Sequence, residues 1–228
     1  MPRLLFFTDP ARTPRADLVV ARMPRGSGVV FRAFGAKEAA KQGAALARAA
    51  RRRGVVFLVG ADPRLAIALG AGGLHLPERM TTRAGDIRLL RRRFLVTGAV
   101  HGLPAALRAR RAGVDAVVLS SVFPSRSPSA GRAMGVLAFA ALARKIRIPV
   151  FALGGITPGN ARRLGHSGAI GLAAVEGFTA PAATEDQNLK VVSRRTRGAV
   201  GCGSMRPTSG CSGVRLSAPP MCRRGVTR

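Results

Sequence analysis

Tyrosine and tryptophan are absent from the 228 residues, leaving ten phenylalanines as the only large aromatic side chains. So little aromatic surface argues against the base-stacking platforms of single-strand-binding proteins and against nucleic acid as a partner. Acidic residues are scarce too: ten Asp and Glu stand against 38 Lys and Arg, a formal charge of +28. The three cysteines, Cys202, Cys211 and Cys222, lie at gaps of nine and eleven with no histidine beside them. That is neither a disulfide scaffold nor a zinc-ligand spacing. Long apolar runs are missing as well. The longest uncharged one, Val136–Ala143, falls far short of the roughly 18 residues of a membrane span. Leu4–Phe7, after Met1-Pro2-Arg3, is too short an apolar core for a secretory signal, so a cytoplasmic protein with no membrane partner is expected.

What is present is enough apolar material, 47%, to build a core of one large domain. The charge divides unevenly: residues 1–178 hold 29 basic and 8 acidic side chains, and residues 179–228 hold 9 and 2. The surplus therefore belongs to the patterned part of the chain as well as to its end, and such a field attracts phosphates and other anions. Only four of the basic residues are lysine, and coding bias toward Ala, Gly and Arg accounts for such a composition equally well.

Up to residue 178 the pattern alternates between β-rich apolar runs and Ala-, Leu- and Arg-rich helical stretches. The runs are Leu4–Thr8, Gly28–Phe31, Val55–Val59, Gly73–Leu76, Phe94–Thr97, Ala116–Ser120, Val150–Leu153 and Gly171–Val175. The helical stretches are Arg15–Met23, Ala36–Arg53, Pro63–Leu69, Thr81–Arg92, Pro104–Ala112, Val136–Ile146 and Gly159–Leu164. Alternation of this kind implies parallel strands with helical crossovers, and eight strands imply closure into a small α/β (β/α)8 TIM barrel. Three helix-to-strand junctions, at Gly70, Gly113 and Gly168, repeat one pattern in which a glycine ends the helix before a buried strand. Residues 179–228 show neither period and are rich in Gly, Ser, Pro, Thr and Arg, so a low-order basic tail is expected there.

In such a barrel the functional residues sit at the carboxyl ends of the strands. Gly154-Gly155, directly after the seventh strand, lets backbone amides approach a ligand, and the helix beginning near Pro158 would turn its positive end the same way. Barrels commonly hold phosphate there. Arg32 ends the second strand and presents a planar fork suited to phosphate or carboxylate. Ser125, Arg126 and Ser127 offer two hydroxyls and a cation from a loop long enough to act as a lid. His75, between Leu74 and Leu76, either reaches a heterocycle or fills the barrel; His101 and His166 read as structural. A hard metal ion needs clustered carboxylates, and of Asp62, Glu78 and Glu176 only Asp62 is kept, as a weak metal candidate.

These residues together resemble the thiamine phosphate synthase and TenI-type thiazole tautomerase superfamily over about residues 4 to 178. The most specific stretches are Gly113-Val114-Asp115 through Phe123-Pro124, Ile148-Pro149-Val150, Gly154-Gly155-Ile156, and Leu65 through Leu76. The resemblance implies a transferase that joins an aminopyrimidine carried on pyrophosphate to a thiazole phosphate, with Mg2+ and basic residues stabilising the leaving pyrophosphate. Carried over, Phe31 and Arg32 match a Gln-Phe-Arg-Glu-Lys segment in which Val30 replaces the glutamine and Phe34 the lysine. Gly154 and Gly155 match the thiazole-phosphate loop, and His75 the histidine of strand four.

Other positions depart from that pattern. Gly60-Ala61 replaces an Asn-Asp pair, with Asp62 one place on; Arg79 replaces a metal-binding acid, and Ala99 a serine. Ser125-Arg126-Ser127-Pro128 stands for a Thr-x-Thr-Lys grip on pyrophosphate, Glu176 for a serine, and Ser121 or its neighbour for the tautomerase histidine. Three readings follow. The first is a synthase or TenI-like enzyme of thiamine biosynthesis. The second is a catalytically degenerate paralogue that binds thiazole phosphate or thiamine phosphate in regulation or salvage. A basic nucleic-acid-binding protein is the remote third. The expected partner is a phosphorylated small molecule, and the sequence leaves room for a homo-oligomer.

Overall fold

In this computed structural model, residues 1–125, 127 and 131–176 are described. Eight short strands, β1 (Leu4–Phe7), β2 (Gly28–Phe31), β3 (Val56–Gly60), β4 (Gly73–Leu76), β5 (Leu95–Val100), β6 (Ala116–Leu119), β7 (Val150–Leu153) and β8 (Gly171–Ala174), pair in parallel in chain order. The ring closes where Leu5 of β1 stands opposite Ala173 of β8. The expected (β/α)8 barrel is therefore present. The segment beyond residue 178, and Arg126 with it, lies outside the described residues.

Among the described residues seven helices connect the strands: α1 (Ala16–Arg22), α2 (Ala39–Arg53), α3 (Pro63–Ala68), α4 (Ala84–Leu90), α5 (Leu103–Arg111), α6 (Gly135–Ile146) and α7 (Pro158–Ala161). Three-residue-per-turn segments, Glu78–Arg83 and Arg162–Leu164, precede α4 and follow α7. Two expectations shift. The helix expected over 81–92 is split, because the Thr81 hydroxyl donates to the Glu78 carbonyl at 2.9 Å and holds the tighter turn. Strand β5 runs on to Val100, three residues further than its pattern suggested. The repeated junctions behave as expected, with Gly70, Gly113 and Gly168 all at positive φ.

Alternation along the strands sorts the side chains into two cores. Leu5, Phe7, Val30, Leu58, Ala116, Val118, Phe151 and Ala173 fill the barrel interior. Their neighbours Leu4, Phe6, Val29, Val59, Leu74 and Val117 face outward onto helix residues such as Leu46, Ala47, Ile87 and Phe139. Each large side chain buried this way contributes roughly 1.5–3 kcal/mol of transfer free energy. The interior is narrow: at Gly73 a Cβ would run into the Leu95 backbone, so only glycine lets β4 and β5 meet there. Above this packed floor, the loops after the strands' carboxyl ends enclose an open mouth.

Candidate active site

The mouth holds a cavity of about 490 Å3, within the range of small-molecule sites. Phe7 forms its floor, and Arg12 from the β1 loop and Arg32 after β2 bring positive charge to its wall. Gly154 and Gly155 after β7 line it together with Ser125 and Ser127 from the β6 loop. His101 after β5 and Glu176 after β8 complete the rim.

Arg32 is fixed from two sides. Its backbone N–H donates to the Thr8 hydroxyl at 2.9 Å, and its Nε donates to the Thr8 carbonyl at 2.7 Å. The guanidinium lies 5.8 Å from the Phe7 ring centroid and 4.8 Å from that of Phe34, a residue held at φ 49°. Its Nη2 is 3.5 Å from Asp9 Oδ2. Burial pulls the Arg32 pKa below its ordinary value, the Asp9 charge opposes that, and Arg12 adds to it. An arginine keeps its proton through shifts of this direction, so the mouth carries a partly desolvated cation.

Arg12 shares the same carboxylate, donating from Nε and Nη2 to Asp9 Oδ2 at 2.9 and 2.8 Å. Burial alone would raise the Asp9 pKa. The Arg12 hydrogen bond and charge, with the Arg12 and Ala11 amides, outweigh it and hold the carboxyl below its ordinary value. Arg12 Nε also lies 3.8 Å from Glu176 Oε1, so the acid that replaces a serine in the family pattern faces an arginine.

The double glycine is the site's distinctive backbone. Gly154 and Gly155 have φ of 106° and 60°, in the left-handed region that only glycine enters freely. Side chains there would strike Ser121 and the Phe123–Pro124 backbone respectively. Both carbonyls are engaged: Gly154 accepts from the Phe123 N–H at 3.0 Å, and Gly155 from Asn160 Nδ2 at 2.8 Å. Among the described residues their N–H groups have no hydrogen-bond partner. Two adjacent free amides at positive φ form a concave donor surface suited to an anion. Helix α7 has a single turn, so its dipole adds little and the amides themselves are the donors.

The structure thus brings Arg32, Ser125, Ser127, Gly154 and Gly155 to one cavity. It does not bring His75 there. That ring is buried beneath Phe7, edge-on at 4.8 Å, with Nδ1 3.0 Å from the Thr97 hydroxyl. Burial, assisted by the Arg32 charge, lowers its pKa to about 3, so it is a neutral part of the barrel filling. Asp62 is also elsewhere: it caps α3, its Oδ1 accepting the Leu65 N–H at 2.9 Å.

The carboxylates near the strands' carboxyl ends do not fit Mg2+. Asp62 is a helix cap, Asp9 is held by Arg12, Glu176 faces Arg12, and Glu78 is hydrogen-bonded to His101. Among the described residues no three His, Cys, Asp or Glu side chains gather into a metal-holding group. Even the one or two carboxylates that Mg2+ takes from a protein would have to be supplied, and each of these four already has a partner. Sequence reasoning missed Asp9, Arg12 and the Glu78–His101 pair. The strand-end rule applied to the loop after β1 would have found the first two.

Fold and geometry define a (β/α)8 barrel with a cation-lined mouth and free amides at one side. The model of a family described as thiamine monophosphate synthase matches residues 4–178, and the chain belongs to that family. It is 37% identical over 129 residues to the thiamine biosynthesis bifunctional protein ThiED of Geobacter sulfurreducens, a match over 55% of this chain and only 26% of that protein's length. It is 37% identical over 142 residues to a thiamine-phosphate synthase of Thiobacillus denitrificans, covering 61% of this chain and 67% of that one. A solved thiamine phosphate pyrophosphorylase from Pyrococcus furiosus superposes with a TM-score of 0.67 at 25% identity, over 83% of this chain and 92% of that one. No helix among the described residues is long and apolar enough to cross a membrane.

Proposed function

We propose that this protein acts in thiamine biosynthesis by binding a thiazole phosphate in the barrel mouth. The phosphate sits on the amides of Gly154 and Gly155, within reach of the Arg32 guanidinium, and the ring lies over Phe7. The observation that carries this reading is the pair of unpartnered glycine amides opening onto the same cavity as two arginines. Family membership supports the choice of ligand. Calorimetric titration with 4-methyl-5-(2-hydroxyethyl)thiazole phosphate tests it: saturable one-site binding, lost in Gly154→Val, is expected. An absence of binding to the unmodified protein rejects it.

Two continuations of that binding differ in chemistry. In the synthase reaction the thiazole nitrogen attacks the methylene of an aminopyrimidine pyrophosphate, the C–O bond breaks, and pyrophosphate leaves onto cationic groups. In the second continuation the protein holds thiazole phosphate or thiamine phosphate without joining the halves. The engaged state of Asp62 and Glu78 favours the second, because neither carboxylate is free to serve a metal-assisted departure. A coupling assay with both phosphorylated halves and Mg2+ separates them, turnover above background establishing the first.

A further inference from the structure

Glu78 and His101 meet at one side of the rim from two neighbouring connections, the turn after β4 and the loop after β5. His101 Nδ1 lies 2.7 Å from Glu78 Oε2, which also accepts the His101 backbone N–H at 3.0 Å. Arg108, on α5, stands 3.8 Å from the other oxygen of Glu78. A carboxylate only accepts, so in the neutral ring the proton sits on Nδ1 and Nε2 carries the lone pair. The imidazole is on the cavity wall, its side chain 58% exposed, and among the described residues Nε2 has no partner. The remaining charged side chains on that wall, Arg12, Arg32 and Glu176, come from the loops after β1, β2 and β8.

We infer that His101, oriented by Glu78, is a specificity-determining acceptor: its Nε2 takes a hydrogen bond from an N–H or O–H donor on the part of the ligand remote from the phosphate. The preferred ligand is therefore a phosphate monoester whose far end carries a ring amine or hydroxyl. This rests on the phosphate reading of Gly154 and Gly155 and adds the opposite end of the molecule. His101 selects through a lone pair whose position is set by a carboxylate; Glu78 acts through it as a positioning residue. The acceptor discriminates where the bound ligand screens it from water: a ligand that carries the donor replaces that water, whereas one that lacks it leaves the nitrogen unpaired.

The test compares thiamine phosphate, which carries an exocyclic amine, with the thiazole phosphate alone, which does not, in the intact chain and in His101→Ala. The His101→Ala change is expected to weaken thiamine phosphate about tenfold, the equivalent of one net hydrogen bond, and to leave thiazole phosphate within about twofold. Glu78→Ala, which keeps the imidazole and frees its tautomer, should weaken thiamine phosphate by a smaller factor and again spare thiazole phosphate. Equal losses for both ligands, or none for either, overturn the inference while leaving the phosphate reading in place. Failure of the intact protein to bind thiazole phosphate overturns both.

Discussion

Arg32 and Thr8 are joined twice: the threonine hydroxyl accepts the arginine's backbone N–H at 2.9 Å, and the threonine carbonyl accepts its Nε at 2.7 Å. The Nε bond, with Asp9 Oδ2 3.5 Å from Nη2, fixes the guanidinium on the wall of the cavity that Gly154 and Gly155 also line. Lysine offers a point charge without this fork. Arg32→Lys should weaken thiazole phosphate by about tenfold or more, the worth of a charge-assisted hydrogen bond. Arg15→Ala, which breaks an exposed pair with Asp17, should leave the titration unchanged.

Positive φ and crowding can be separated at the glycines. Gly26 has φ 77° and open space around it, whereas Gly154 has both a positive φ and Ser121 against it. Gly26→Ala should cost about 1 kcal/mol of stability with ligand affinity intact. Gly154→Ala and Gly155→Ala should cost about 1–3 kcal/mol and abolish binding, read from urea unfolding and calorimetry together.

His75 makes stability depend on acidity. Its folded pKa of about 3 lies below the unfolded value of 6.5, so between the two the unfolded chain binds the extra proton. The stability associated with the neutral ring is complete above pH 6.5 and is lost as the pH falls toward 3, by roughly 1.4 kcal/mol per pH unit. Urea midpoints measured across that window should fall on acidification. They should fall less steeply in His75→Gln, which retains polarity without a proton to gain there.

Asp62 should behave as a helix cap. Asp62→Ala should lower the stability by about 1 kcal/mol through the lost bond to the Leu65 N–H, with thiazole phosphate affinity unchanged. Chelation with EDTA should leave that affinity unchanged as well. Loss of binding in both experiments, with the fold intact, would show that a metal ion at Asp62 supports the ligand.

The barrel was legible because its determinants are local. Short runs such as Leu4–Phe7 and Val150–Leu153, each followed by a helical stretch, state the parallel alternation directly, and the glycine punctuation marks the junctions. The double glycine of the mouth was legible for the same reason: Gly154-Gly155 is contiguous and follows a strand. Glu78 and His101 are 23 residues apart, and nothing in either segment says that one faces the other. That meeting depends on β5 extending past Gly98, which packs so closely on Thr81 that its missing Cβ is what admits the turn carrying Glu78. His75 read ambiguously because alternation fixes which face a side chain takes, not its depth. Phe7 above it decides that.

The filled interior gives the mouth a direction. With Leu5, Phe7, Val30 and Phe151 closing the barrel beneath it, a bound molecule has no passage through to the other end. Whatever leaves retraces the route by which its successor arrives. Occupancy by one molecule therefore bars the next until the first has left by the same mouth.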